Sequence, residues 1–155
     1  MPTTEAAHVP DDASPDLATL AVTIGYEFAD LQLLRQAMAH RSWCAETPGE
    51  RSNERLEFLG DAVLGWVIAD IAFHQFDALA EGLLTDLRKS VVNASALAEV
   101  AETIGIGPHL LLGKGEASAG GAEKSSILSD AFEAVLGAVY LDGGTEPAYA
   151  MVQRW

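Results

Sequence analysis

Three acids, Glu54, Glu57 and Asp61, recur at three- and four-residue spacing within residues 53–69, NERLEFLGDAVLGWVIA. On a helix, at about 100° per residue, they fall within roughly 60° of one another and form one stripe. A second acidic pair, Asp130 and Glu133, is three residues apart and so shares a helix face. Both sets are flanked by residues of core type: Phe58, Leu59, Val63 and Leu64 beside the first, Ile127, Leu128, Ala131 and Val135 beside the second. Any one such acid, taken alone, reads as part of a solvated face. Several acids close together on a mostly apolar helix repel one another and lose solvation, which a cation among them would relieve. If the two helices pack together, Glu57, Asp61, Asp130 and Glu133 converge. Four carboxylates without His or Cys make an oxygen-only site, suited to Mg²⁺ or Mn²⁺ and not to zinc or copper. Such an ion acidifies a water and stabilises charge on a phosphoryl oxygen, so metal-assisted phosphodiester hydrolysis is the natural chemistry.

The elements that must position these acids follow from apolar periodicity. Leu56, Leu59, Val63 and Val67 mark the buried face of the first acidic helix. Upstream, Ser14-Pro15-Asp16 is a helix start, with Ser14 as cap, and the helix stops at Gly25. Asp30 caps a second helix from Leu31 to about Arg41, with Leu33, Leu34, Ala37 and Met38 inward. Residues 44–52 are expected to be a polar loop. After a turn at 76–80, Thr85, Leu87, Val91, Leu97, Val100 and Ala101 predict one long helix ended by Gly105. Leu110 to Leu112 form a short apolar piece, and residues 113–122 a flexible glycine-rich loop. The second acidic helix spans about Glu123 to Leu141, ends at Asp142-Gly143-Gly144, and is followed by a helix from near Pro147. No stretch sustains strand alternation, so the fold class is all-α. Gly60, Gly65 and Gly137 lie inside helices at a cost of about 1 kcal/mol each against alanine. Close approach of helix backbones, or of a ligand, is the expected compensation.

The 155-residue chain is long enough for one domain with a real core, and 49% of it is apolar. No apolar run reaches membrane-spanning length and no signal peptide is evident, so a soluble cytoplasmic protein without a membrane partner is expected. The single cysteine, Cys44, excludes an intramolecular disulfide and a cysteine-based zinc site. The net charge of −14 by itself argues against a nucleic-acid partner. It weighs less if several acids are metal ligands, because divalent cations reverse the local field. Residues 1–13 read as an acidic, flexible tail and residues 14–155 as the domain.

The signature NERLEFLGDAVLG at 53–65 resembles that of the ribonuclease III family of double-stranded-RNA endonucleases. The resemblance continues through His40-Arg41-Ser42, EGLLTDLR at 81–88, LGKGE at 112–116, KSSILSD at 124–130, Glu133-Ala134 and GAVYLD at 137–142, and covers roughly residues 17–155 in order. It implies an all-α endonuclease domain that acts as a homodimer with paired active sites along one cleft. The ends produced would be 5′-phosphate and 3′-hydroxyl, with two-nucleotide 3′ overhangs, in RNA processing and maturation, including that of ribosomal RNA. By position, Glu57, Asp61, Asp130 and Glu133 match the family's metal carboxylates, Asp61 and Glu133 being the catalytic pair. Glu54 and Glu81 match supporting acids, and Mg²⁺ is the implied cofactor, with Mn²⁺ able to substitute. Phe58 matches an aromatic that inserts into the partner subunit. Asn53, Arg55, Arg88 and Lys124 are candidate RNA contacts.

The chain departs from the usual pattern in ending at Trp155, without the double-stranded-RNA-binding domain of typical bacterial members, and truncation is the expected reason. Weak, salt-sensitive RNA affinity follows from nine basic residues against 23 acids. Trp43 stands where tyrosine or phenylalanine is more usual. The alternative is a non-catalytic double-stranded-RNA-binding or dimerisation module of the same fold, but that would expect a metal carboxylate replaced, and none is. A di-iron bundle would need Glu-x-x-His pairs, which are absent. Gly115 to Gly121 lacks a Gly-Lys-Ser/Thr ending and a preceding strand, so it is not a phosphate-binding P-loop. His40 is expected to be a structural hydrogen-bonding residue.

Overall fold

A computed structural model describes residues 15–155. The acidic tail and the Ser14 cap lie outside the described residues. The described chain is helical: α1 Leu17–Ile24, α2 Leu31–Met38, α3 Arg41–Glu46, α4 Glu54–Gln75, α5 Glu81–Val91, α6 Ala94–Ile104, α7 Lys114–Ser118, α8 Ser125–Gly143 and α9 Thr145–Arg154. Among the described residues there is no strand, only an isolated parallel bridge between Ala39 and Leu111. No helix among them is long and apolar enough to cross a membrane.

The core is built around α8. Eleven of its residues are buried, including Leu128, Ala131, Val135, Leu136 and Val139, and α4, α6, α2 and α9 all pack on it. Where α4 crosses α8, the backbones touch at glycine. A Cβ on Gly60 would lie 1.7 Å from the Glu133 carbonyl oxygen, and one on Gly137 would lie 2.3 Å from that of Leu56. The cost of these two helical glycines is thus offset by close packing. Gly65 differs, since a Cβ there would meet nothing within 4 Å.

Local signals set most boundaries. Asp16 is the N-cap of α1, accepting from the Thr19 N–H at 3.0 Å, and Asp30 caps α2 through the Gln32 N–H at 2.9 Å. Gly25 and Gly105 close α1 and α6 in the left-handed conformation, each with φ of 82°. Asp142, near the end of α8, accepts hydrogen bonds from the Tyr26 hydroxyl and from the backbone N–H groups of Ala29 and Asp30. It thereby ties α8 to the α1–α2 turn.

Four expectations need correction. The second helix does not run to Arg41. It breaks at Ala39, and His40 caps a separate helix, α3, that extends into the supposed loop. The long helix after residue 80 is two helices, because Asn93 turns extended and caps α6 through the Ala96 N–H. The glycine-rich stretch is structured as α7 and a 3₁₀ turn, Gly121–Glu123. Phe58 is not in the core: it is 80% exposed. In addition, α5 buries none of its residues, and Leu83 and Val91 on it are exposed.

Candidate active site

The α4–α8 crossing that needs Gly60 and Gly137 also brings the acids together. Glu57 sits one turn before Gly60 on α4, and Glu133 one turn before Gly137 on α8. Carboxylate oxygens of Glu57, Asp130 and Glu133 lie within 4.8 Å of one another. All three side chains are half-buried. Burial, the largest cause, pushes the Glu133 carboxyl up to about 8, helped by the charges of Asp61, Glu57 and Asp130 and by a hydrogen bond with Asp61. Glu57 is raised by burial and then by Asp130, Glu54 and Asp61. Asp130 is raised by burial, against the opposing pull of His40 and Arg41.

Asp61 is more exposed than the other three. It stands beside Glu133 and also borders a shallow depression with Gly65, Trp66, Arg88 and Lys89. The open space at Gly65 belongs to this depression. On the other side, a cavity of about 710 Å³ holds Glu54, Glu57 and Asp130 together with His40, Arg41, Ser126, Glu116 and Lys124. The nearby cations are taken up at the rim. Arg41 lies 4.0 Å from Glu54, and Lys124 pairs with Glu116.

Not every residue singled out in the sequence arrives here. Asn53 does line the cavity beside Glu54, but it is buried and its amide donates to the Ala37 carbonyl at 3.1 Å, joining α2 to the start of α4. Arg55 points to the opposite side of α4, into a depression with Leu33, Leu56, Phe58, Leu59 and Leu141. Glu81 opens α5 at the end remote from Arg88, and its Oε1 accepts from the Thr85 hydroxyl at 2.9 Å. It lines neither of the two cavities that the four acids border. Arg88 and Lys124 do border the site. Two lining residues, Arg41 and Glu116, were given no role from sequence. They lie within the HRS and LGKGE blocks, which meet through the bridge between Ala39 and Leu111 and the bond from the Gly113 N–H to the Ser42 hydroxyl.

The donor set fits a hard divalent cation. It consists of carboxylate oxygens alone, half-buried, mutually repulsive, and close enough to share one ion. Residues 30–155 match a family described as Ribonuclease-III-like. The chain is 51% identical over 137 residues to Ribonuclease 3 of Symbiobacterium thermophilum, covering 88% of this chain and 58% of that protein. It is 52% identical over 134 residues to Ribonuclease 3 of Mycobacterium tuberculosis strain H37Rv, covering 84% of this chain and 55% of that one. The chain therefore spans a little over half the length of these curated relatives. A nuclease domain of Ribonuclease III from Campylobacter jejuni, in which a region involved in dimer formation shows structural flexibility, superposes with a TM-score of 0.84 at 42% identity, covering 90% of this chain and 94% of that one. Motif order, helical architecture and these similarities agree: the chain belongs to the ribonuclease III family.

Proposed function

We propose that this domain, residues 14–155, is a divalent-metal-dependent endonuclease that hydrolyses phosphodiester bonds in double-stranded RNA. The observation that carries the reading is the convergence of Glu57, Asp130 and Glu133, with Asp61 beside Glu133. These four side chains would hold Mg²⁺, or Mn²⁺ in its place. A bound ion would supply Lewis acidity at a phosphoryl oxygen and acidify a water for attack. Asp61 and Glu133 are the pair assigned to the reaction. The raised Glu133 carboxyl beside Asp61 suits proton handling at an attacking water or a departing ribose oxygen. Arg88 and Lys124 border the cavities on either side of the acids; Arg88 would meet backbone phosphates, and Lys124 would do so on exchanging its pair with Glu116 for a phosphate. Glu54 supports the cavity wall. The products would be 5′-phosphate and 3′-hydroxyl ends, and a second copy of the chain would supply the second cut, giving two-nucleotide 3′ overhangs.

The test is incubation of the chain with long double-stranded RNA and Mg²⁺, beside Glu133→Gln and Asp61→Asn. Wild type should give staggered products. Each variant should lose more than about 100-fold, since even groups that only orient a metal ligand are worth 10- to 100-fold. Equal behaviour of wild type and variants would refute the assignment.

A further inference from the structure

We infer that His40 is a substrate-contacting residue, whose Nε2–H donates a hydrogen bond to a nucleic-acid backbone oxygen in the acidic cavity. The inference rests on the nuclease reading above and adds a residue to it.

The orientation of the imidazole is fixed by its other nitrogen. Nδ1 receives the Ser42 N–H at 3.2 Å as the cap of α3. It also lies 2.7 Å from the Ser42 hydroxyl oxygen. That oxygen also accepts the Gly113 N–H at 2.9 Å, which ties the Ser42 hydroxyl to the chain beyond Leu111. Because Nδ1 accepts the Ser42 N–H, the ring proton of neutral His40 belongs on Nε2. The backbone on both sides is pinned as well. The His40 N–H donates to the Leu111 carbonyl at 3.0 Å, and the Asn53 N–H donates to the Ala39 carbonyl at 2.8 Å.

Nε2 has no protein partner among the described residues. It is also not one of the buried unpartnered atoms, so it is open to solvent, and His40 lines the cavity with Glu54, Glu57, Glu116 and Asp130. Ionised carboxylates only accept hydrogen bonds, and so do backbone phosphates. Away from the bound cation, a strand passing these acids therefore meets acceptors facing acceptors. A rigid neutral N–H joins a backbone oxygen to this wall without entering the ion-pair network that already occupies Arg41 and Lys124. Two backbone oxygens could receive it, a phosphate oxygen or a ribose 2′-hydroxyl.

His40→Asn separates this role from capping. Its side-chain oxygen can still accept the Ser42 N–H, but the side chain ends short of Nε2. The chain would be assayed with Mg²⁺ on three duplexes: unmodified RNA, RNA with one methylphosphonate beside the cut, and RNA with one 2′-deoxyribose there. His40→Asn should keep the wild-type melting temperature and lose about 10- to 100-fold in kcat/KM on unmodified RNA. On one modified duplex the wild type should fall by a similar factor while the variant falls no further. The methylphosphonate behaving so identifies a phosphate oxygen, and the deoxyribose a 2′-hydroxyl. Losses that multiply on both modified duplexes, or a variant as active as wild type, overturn the assignment, and multiplying losses do so even if the variant is less stable. A wild type that leaves unmodified RNA intact refutes the nuclease reading itself.

Discussion

At the scale of single residues, Glu133 is the group most out of place. Burial among three other acids holds its carboxyl at about 8, against an ordinary value of 4.5. Between those two values the folded chain keeps a proton that the unfolded chain has released. By linkage, stability without metal then falls as pH rises through that window. Glu57 and Asp130 are raised as well and act in the same direction. A divalent cation takes the place of the retained protons, so its binding strengthens as pH rises. Calorimetry should show a larger rise in melting temperature on adding Mg²⁺ at pH 8 than at pH 5.5. Glu133→Gln should melt higher than wild type at pH 8 without metal and respond little to Mg²⁺. A wild-type response independent of pH would mean that the raised carboxyl is not part of the metal site.

At the scale of elements, the site depends on how closely α4 and α8 approach. Gly137→Ala would drive a Cβ to 2.3 Å from the Leu56 carbonyl oxygen, which is backbone and cannot turn aside. The helices must separate, at a cost of about 1–3 kcal/mol or more. Glu57 lies next to Leu56, and Glu133 one turn before Gly137, so metal affinity should fall together with melting temperature. Gly65→Ala should leave metal affinity unchanged and raise the melting temperature, because a Cβ there meets nothing within 4 Å and alanine gains about 1 kcal/mol of helix propensity. Paired melting and Mg²⁺ titrations of the two variants check this. The acidic stripes and the main apolar faces were legible in the sequence because helical spacing alone fixes which residues share a face. The crossing point was not, since it requires knowing which glycine meets which carbonyl. The break at Ala39 and His40 was missed because a histidine cap resembles helix interior, and the break at Asn93 because apolar spacing resumes almost in phase beyond it. Asn53 read as a polar surface residue since nothing in the sequence says that the Ala37 carbonyl needs a donor.

At the scale of the whole molecule, the flank of α4 beside the acidic stripe carries the argument for self-association. Phe58 projects from it at 80% exposure, and Leu141 beside it is 54% exposed. Both line a depression of about 830 Å³ with Leu33, Leu56 and Leu59, rimmed by Arg51 and Arg55. A projecting aromatic next to an apolar depression is self-complementary: a two-fold axis lets each copy fill the other. Pattern placed Phe58 beside the core while the family resemblance pointed it at a partner subunit, and its exposure leaves the ring uncovered within its own chain. Burying one phenylalanine is worth about 1.5–3 kcal/mol, and two-fold symmetry counts it twice. Phe58→Ala should therefore weaken dimerisation by roughly 100-fold or more, at about 1.4 kcal/mol per tenfold. The monomer loses little, because the side chain has few contacts within its own chain. Sedimentation velocity at micromolar concentration should show wild type as dimer and Phe58→Ala as folded monomer. Double-strand cleavage should fall with it, leaving single nicks, because each copy brings one acidic site and a staggered cut needs two. If Phe58→Ala remains dimeric, this depression is not the contact between copies.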